Sequence, residues 1–136
     1  MIVVVLVGAV VGLSFAIPSL LRPSALAVIK DVYEKAQENK NLTKDQLAVY
    51  DDLVAEIDYP QVNGLAAMTG AALFHDHLKD GALTEAEIAE ASILRDYLQA
   101  NPDAGMFDMM RFQDNHPEIA AKMTEFQRNP ANLRPN

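Results

Sequence analysis

The first twenty-one residues, MIVVVLVGAVVGLSFAIPSLL, carry no charged side chain, and all 11 Lys and Arg and all 19 Asp and Glu residues of the chain follow them. As a helix rising about 1.5 Å per residue, residues 2–21 would reach roughly 30 Å, the thickness of a bilayer's hydrocarbon core. Gly8, Gly12 and Ala16 recur at every fourth position of this run. That spacing lines them along one side of a helix, where small side chains let a second helix approach closely. Residues 1–22 are therefore expected to form a single transmembrane helix. It would be solvated by membrane lipid and held through Gly8, Gly12 and Ala16 against other transmembrane subunits of a larger complex.

Ser14-Phe15-Ala16 also offers the small residues that a signal peptidase inspects. No Lys or Arg precedes the apolar run, however, so a signal's positive n-region would be reduced to the terminal amine. An uncleaved anchor is the reading this favours. Arg22, Lys30, Lys35 and Lys40 follow on the C-terminal side, and the positive-inside bias then places the C-terminal domain in the cytoplasm. Pro18 and Pro23 bracket the exit and predict a kink before the next helix starts.

The net charge of −8 resides entirely in the remaining residues. An acidic domain repels phosphate backbones, so nucleic acid is not an expected partner. The absence of cysteine excludes disulfides, thiolate metal sites and thiol nucleophiles.

Beyond residue 22 the apolar residues recur at helical spacing, and the fold class is expected to be all-α. Leu26, Ile29, Tyr33 and Ala36 share a face over 24–38, as do Leu47, Tyr50, Val54 and Ile57 over 44–58. Leu65, Met68, Ala72 and Leu73 do the same over 64–79, and Ile88, Ala91, Leu94 and Leu98 over 85–99. Asn101-Pro102 and His116-Pro117 announce two short helices, because proline fits a first helical turn. The expected organisation is an anchor (1–22), a domain of two helix–loop–helix units (23–100), short Met- and Phe-rich helices (101–128) and a tail (129–136).

Two helix starts share one pattern. Leu42-Thr43-Lys44-Asp45-Gln46-Leu47 and Leu83-Thr84-Glu85-Ala86-Glu87-Ile88 each place a threonine three residues before Gln or Glu. Each can form a capping box, with the flanking leucine stapled to the aliphatic residue five positions on.

The stretch before the second start, Asp76 to Glu87 (DHLKDGALTEAE), resembles an EF-hand calcium loop. Asp76, Asp80, Gly81, Leu83, Thr84 and Glu87 match that family's first, fifth, sixth, eighth, ninth and twelfth positions. The resemblance implies a calcium site of Asp76, Asp80, Thr84 and Glu87 with the backbone carbonyl of Ala82. Leu78 departs from the pattern at the third position, where the family has Asp or Asn. The first copy, aligned on Leu42, sets Lys35, Lys40 and Gln46 where ligands and glycine belong, so no cation is expected there. Without a metal, the same residues read as a glycine helix end followed by a capping box.

His75 and His77 point about 200° apart on a helix and cannot converge on one ion, so both read as surface residues. Asp51, Asp52 and Glu56 read as solvated charge. The four serines lie in no nucleophile elbow, and no glycine-rich phosphate loop occurs. Met106, Met109, Met110 and Phe112 form the most adhesive stretch outside the apolar run. The four are candidates for docking a partner, with packing into the domain core as the other reading; Met106 and Met110 can face the core, and Met109 and Phe112 would then point elsewhere. The expected function is a non-catalytic, single-pass accessory or assembly-stabilising component of a membrane-embedded complex, photosynthetic, respiratory or within a membrane-containing virion. It needs no cofactor. The alternative is a membrane-tethered, EF-hand-like calcium module.

Overall fold

The apolar positions at helical spacing do form helices. The computed structural model describes residues 18–59 and 62–133. Six helices run α1 Pro18–Glu38, α2 Lys44–Asp58, α3 Gly64–Leu78, α4 Glu85–Ala100, α5 Met106–Asn115 and α6 Pro117–Gln127, and a 3-10 turn follows at Pro130–Leu133. No strand occurs among the described residues. Gly8, Gly12 and Ala16 lie outside the described residues. No helix among those described is long and apolar enough to cross a membrane.

The capping sequences act as their chemistry dictates. The hydroxyl of Thr43 accepts the Gln46 N–H while the Gln46 side chain accepts the Thr43 N–H, and Thr84 and Glu87 do the same for α4. Asn63 caps α3 through its carboxamide oxygen. At the α3–α4 turn Gly81 takes φ +76°, a left-handed conformation open to glycine without steric cost. The neighbouring turn reaches it there: Asn39 Nδ2 donates to the Gly81 carbonyl at 3.1 Å. The two helix–loop–helix units thus lie side by side, joined at their turns.

Their packing makes α3 the central helix. It packs most extensively on α1, contacts α2, α5 and α6, and touches α4 more lightly, while α2 and α4 pack together. Its sequence permits this because Ala66, Ala67, Gly70, Ala71 and Ala72 are small, so neighbouring helices approach on several sides. At Gly70 even a Cβ would collide with the Ile57 side chain and would sit 3.4 Å from Ile29 Cδ1. Phe74 fills the wider part of the core, edge-on to Tyr50 at 5.4 Å and to Tyr33 at 6.2 Å.

Two expectations need correction, the start of the first helix and the facing of the Met/Phe-rich helix. The helix expected from residue 24 is already helical at Pro18 and runs through Pro23, so residues 18–22 are continuous with it. Arg22, expected as a membrane-flank charge, reaches across to α2. One guanidinium nitrogen donates to the carbonyls of Ile57 and Asp58 at 3.4 Å and of Tyr59 at 3.0 Å. These terminal carbonyls have no partner within α2, and the helix dipole concentrates negative charge there.

In the Met/Phe-rich helix the faces are reversed. Met109 and Phe112 are buried, Met106 and Met110 are half-buried, and Phe107 is exposed. The register of α5 is set by the Asp108 carboxylate, which accepts the Gly105 N–H, and by Tyr97, whose ring lies 4.7 Å from Phe112. Met109 and Phe112 therefore serve the core and are not available for docking.

Candidate functional site

The largest departure from expectation concerns His77, which is completely buried. A central helix has almost no solvent face, and position 77 follows Leu73 by four residues and Phe74 by three, which puts it on the core side. Its ring lies edge-on to Tyr50 at 5.9 Å. Nδ1 of His77 stands 2.8 Å from the Tyr50 hydroxyl, and Nε2 stands 2.8 Å from Oε1 of Glu90. Lys122 closes on the same Glu90 oxygen and also meets Asp76 at 3.3 Å.

Donor and acceptor chemistry orders this chain. The Glu90 carboxylate, facing an ammonium, only accepts, so Nε2 of His77 carries the proton toward it. Nδ1 of His77 and the Tyr50 hydroxyl share the remaining hydrogen bond, whose direction follows the tautomer of the ring. Burial pushes the Tyr50 pKa up, and the nearby charges of Glu87, Glu90 and Asp76 push it further, which keeps the hydroxyl protonated. Burial works against the charged form of Lys122. Its hydrogen bonds and charge pairing with Glu90 and Asp76 outweigh that and raise its pKa. One residue from each of α2, α3, α4 and α6 takes part, so the chain ties four helices together.

Beside it a groove of about 490 Å³ opens between α4 and the corner joining α5 to α6. Ala86, Ala89 and Ile93 form one wall and Pro117 and Ile119 the other, with Glu87, Glu90, Glu118 and Lys122 among them. A second polar group lies deeper. Gln113 Nε2 donates to Thr69 Oγ1 at 3.3 Å and to the Met123 sulfur at 3.0 Å, joining α3, α5 and α6.

The residues of the calcium-like loop are only partly brought together. The ligand atoms of Asp76, His77 and Glu87 lie within 4.8 Å of one another. Asp80 turns back to accept the Ala82 N–H at 3.2 Å, and the Thr84 hydroxyl accepts the Glu87 N–H. Asp76 and His77, at the loop's first two positions, are still in α3. Both ring nitrogens of His77 are engaged, so an ion at this place would have to displace Tyr50 or Glu90 from the imidazole.

The reading of separate motifs missed His77, Glu90 and Lys122 as a group. A signal for each existed: His77 lies on the Leu73/Phe74 face, Glu90 precedes Leu94 by four residues, and Lys122 follows Ile119 by three. Their convergence depends on which helices become neighbours. His75, by contrast, is half-buried and stacks edge-on against Phe126 at 5.4 Å, and burial chiefly lowers its pKa. Comparison with protein-family models, curated proteins and solved structures finds no match to this chain.

Proposed function

We propose that this chain is a non-catalytic accessory component of a larger membrane-embedded assembly. Its uncharged N-terminus would be the membrane contact, and its helical domain a rigid docking body. The observation that carries this reading is the engagement of both ring nitrogens of the buried His77. Tyr50, His77, Glu90 and Lys122 are linked by hydrogen bonds across four helices, and Lys122 pairs with Asp76 as well. An imidazole so engaged has no free lone pair for base catalysis, since a general base must reach the proton it abstracts. The groove beside it then serves as a binding shape. The continuity of α1 from Pro18 to Glu38 supports a domain whose first helix starts within the last residues of the uncharged run.

Native electrophoresis of mildly solubilised membranes tests this reading. The full chain should migrate with a larger assembly, and Gly8→Leu with Gly12→Leu should release it. Migration of the wild-type chain alone would overturn the reading. Unchanged migration of the double variant would remove the proposed contact within the membrane.

A second reading, a tethered calcium-binding module, is favoured by the approach of Asp76 to Glu87 and by the left-handed Gly81 in the turn between them. Calorimetric titration with calcium decides it. Absence of heat at millimolar calcium, identical in Glu87→Gln, leaves these residues as caps.

A further inference from the structure

Helix α4 carries two apolar stripes where a surface helix needs one. Ala91, Leu94 and Leu98 enter the core. Ala86, Ala89 and Ile93 recur at three- and four-residue steps on another side and line the open groove. Ile93 is 40% exposed there, one of few large apolar side chains so placed among the described residues. Core packing does not account for this second stripe.

Carboxylates outnumber basic groups around it, where His116 also lines the wall. Glu87, Glu90 and Glu118 border the groove and Lys122 is the only Lys or Arg lining it. That lysine is held between Glu90 and Asp76, so its charge is compensated inside the protein. What remains is an apolar stripe with Glu118 exposed beside it and Glu87, which also accepts the Thr84 N–H, at the start of α4. From Ala86 to Ile93 the wall extends about 10 Å, two helical turns. Alanines at 86 and 89 leave room for another backbone to come close, as small residues do wherever helices pack tightly.

From this we infer that the groove between α4 and the α5–α6 corner docks a helical segment of a partner protein. The segment presents apolar residues to Ile93 and Ile119 and Lys or Arg to Glu87 and Glu118. The inference rests on the accessory-component reading and gives the chemistry of the partner. A second copy of this chain fits poorly, because each copy carries a net charge of −8. An anionic lipid surface is repelled by the same glutamates.

The probe is a fluorescent, end-capped amphipathic helix of Leu and Lys, about fourteen residues long, with a Leu/Glu peptide of the same pattern as its control. Fluorescence polarisation with the full-length chain in mild detergent should show the Leu/Lys peptide binding at least about tenfold more tightly and weakening with salt. Ile93→Asn and Glu118→Lys alter exposed positions, and circular dichroism checks that each stays folded. Each should lose about tenfold in affinity, while detergent binding by the peptide is common to all variants and cancels. Equal binding of the two peptides, or unchanged binding in both variants, overturns the assignment. So does a wild-type chain that sediments as a dimer through this face and excludes the peptide. The titration requires no assembly, so a chain that migrates alone on native gels defeats the accessory reading without altering the test of the groove.

Discussion

The imidazole of His77 on α3 and the carboxylate of Glu90 on α4 meet at 2.8 Å, and Lys122 from α6 closes on the same carboxylate oxygen. With Tyr50 on the other ring nitrogen, one buried side chain links the two helix–loop–helix units to the C-terminal helices.

Replacing His77 with leucine leaves the Tyr50 hydroxyl and Glu90 without their shared partner. Removing one member of a buried polar pair costs about 2–4 kcal/mol. Urea denaturation should show that loss. The combination with Tyr50→Phe should recover part of it, because fewer polar atoms are then left unsatisfied. An unchanged midpoint in His77→Leu would show that the chain does not hold the helices.

Stability should fall on the alkaline side. The Lys122 pKa lies above its usual 10.5, the balance of burial lowering it and Glu90 and Asp76 raising it. Burial, with Asp51 beside it, pushes Tyr33 up to about 12. Each group binds its proton more tightly when folded. Its stabilising contribution is therefore complete below the unfolded pKa and is lost as pH rises through the folded one. Thermal melts should decline above about pH 10, and Lys122→Met should flatten part of the decline. A wild-type melting temperature constant from pH 9 to pH 12 contradicts the assignment.

Arg22→Met should cost about 1–2 kcal/mol, because the last carbonyls of α2 lose a charged donor at the negative end of the helix dipole. Arg22→Lys should recover only part of this, since the shorter side chain must carry its ammonium to carbonyls that one terminal guanidinium nitrogen now reaches. Hydrogen exchange at residues 55–59 reads the effect locally. Equal protection in all three proteins would remove the cap.

At the paired turns, Thr43→Ala and Thr84→Ala should each lose about 1 kcal/mol of cap. Gly81→Ala should lose about 1–2 kcal/mol, because φ +76° strains any side chain. Its Cβ would also fall 2.7 Å from Asn39 Nδ2, so Asn39→Ala should partly relieve the variant. If Gly81→Ala melts like wild type, the turn must have another available conformation.

Elements governed by neighbours in sequence were legible. Helix α2 spans Lys44–Asp58, as its apolar spacing and capping box require, and α3 and α4 follow their patterns closely. Capping is a contact over three residues, so its chemistry is complete within the motif. The start of α1 was not legible from Pro23. A proline forfeits one main-chain donor, and a helix that packs against the core can continue past it. In α5 periodicity was sound but phase was not: Met109 and Phe112 turned inward because Tyr97 and Asp108 set the rotation of that helix.

The uncharged run, the acidic remainder, the all-helical class and the paired caps follow from the sequence alone, because each depends on residue type and short spacing. The Tyr50–His77–Glu90–Lys122 chain, buried as far as Glu90, and the acidic groove beside it were decided by tertiary structure. Their residues lie on helices far apart in the chain, and each side chain's surroundings are set by which helices become neighbours. A histidine near the end of a helix reads as exposed until that helix becomes the central one. Small side chains on α3 brought its neighbours close enough to enclose His77, and enclosure turned it from a surface residue into the centre of the core's polar contacts.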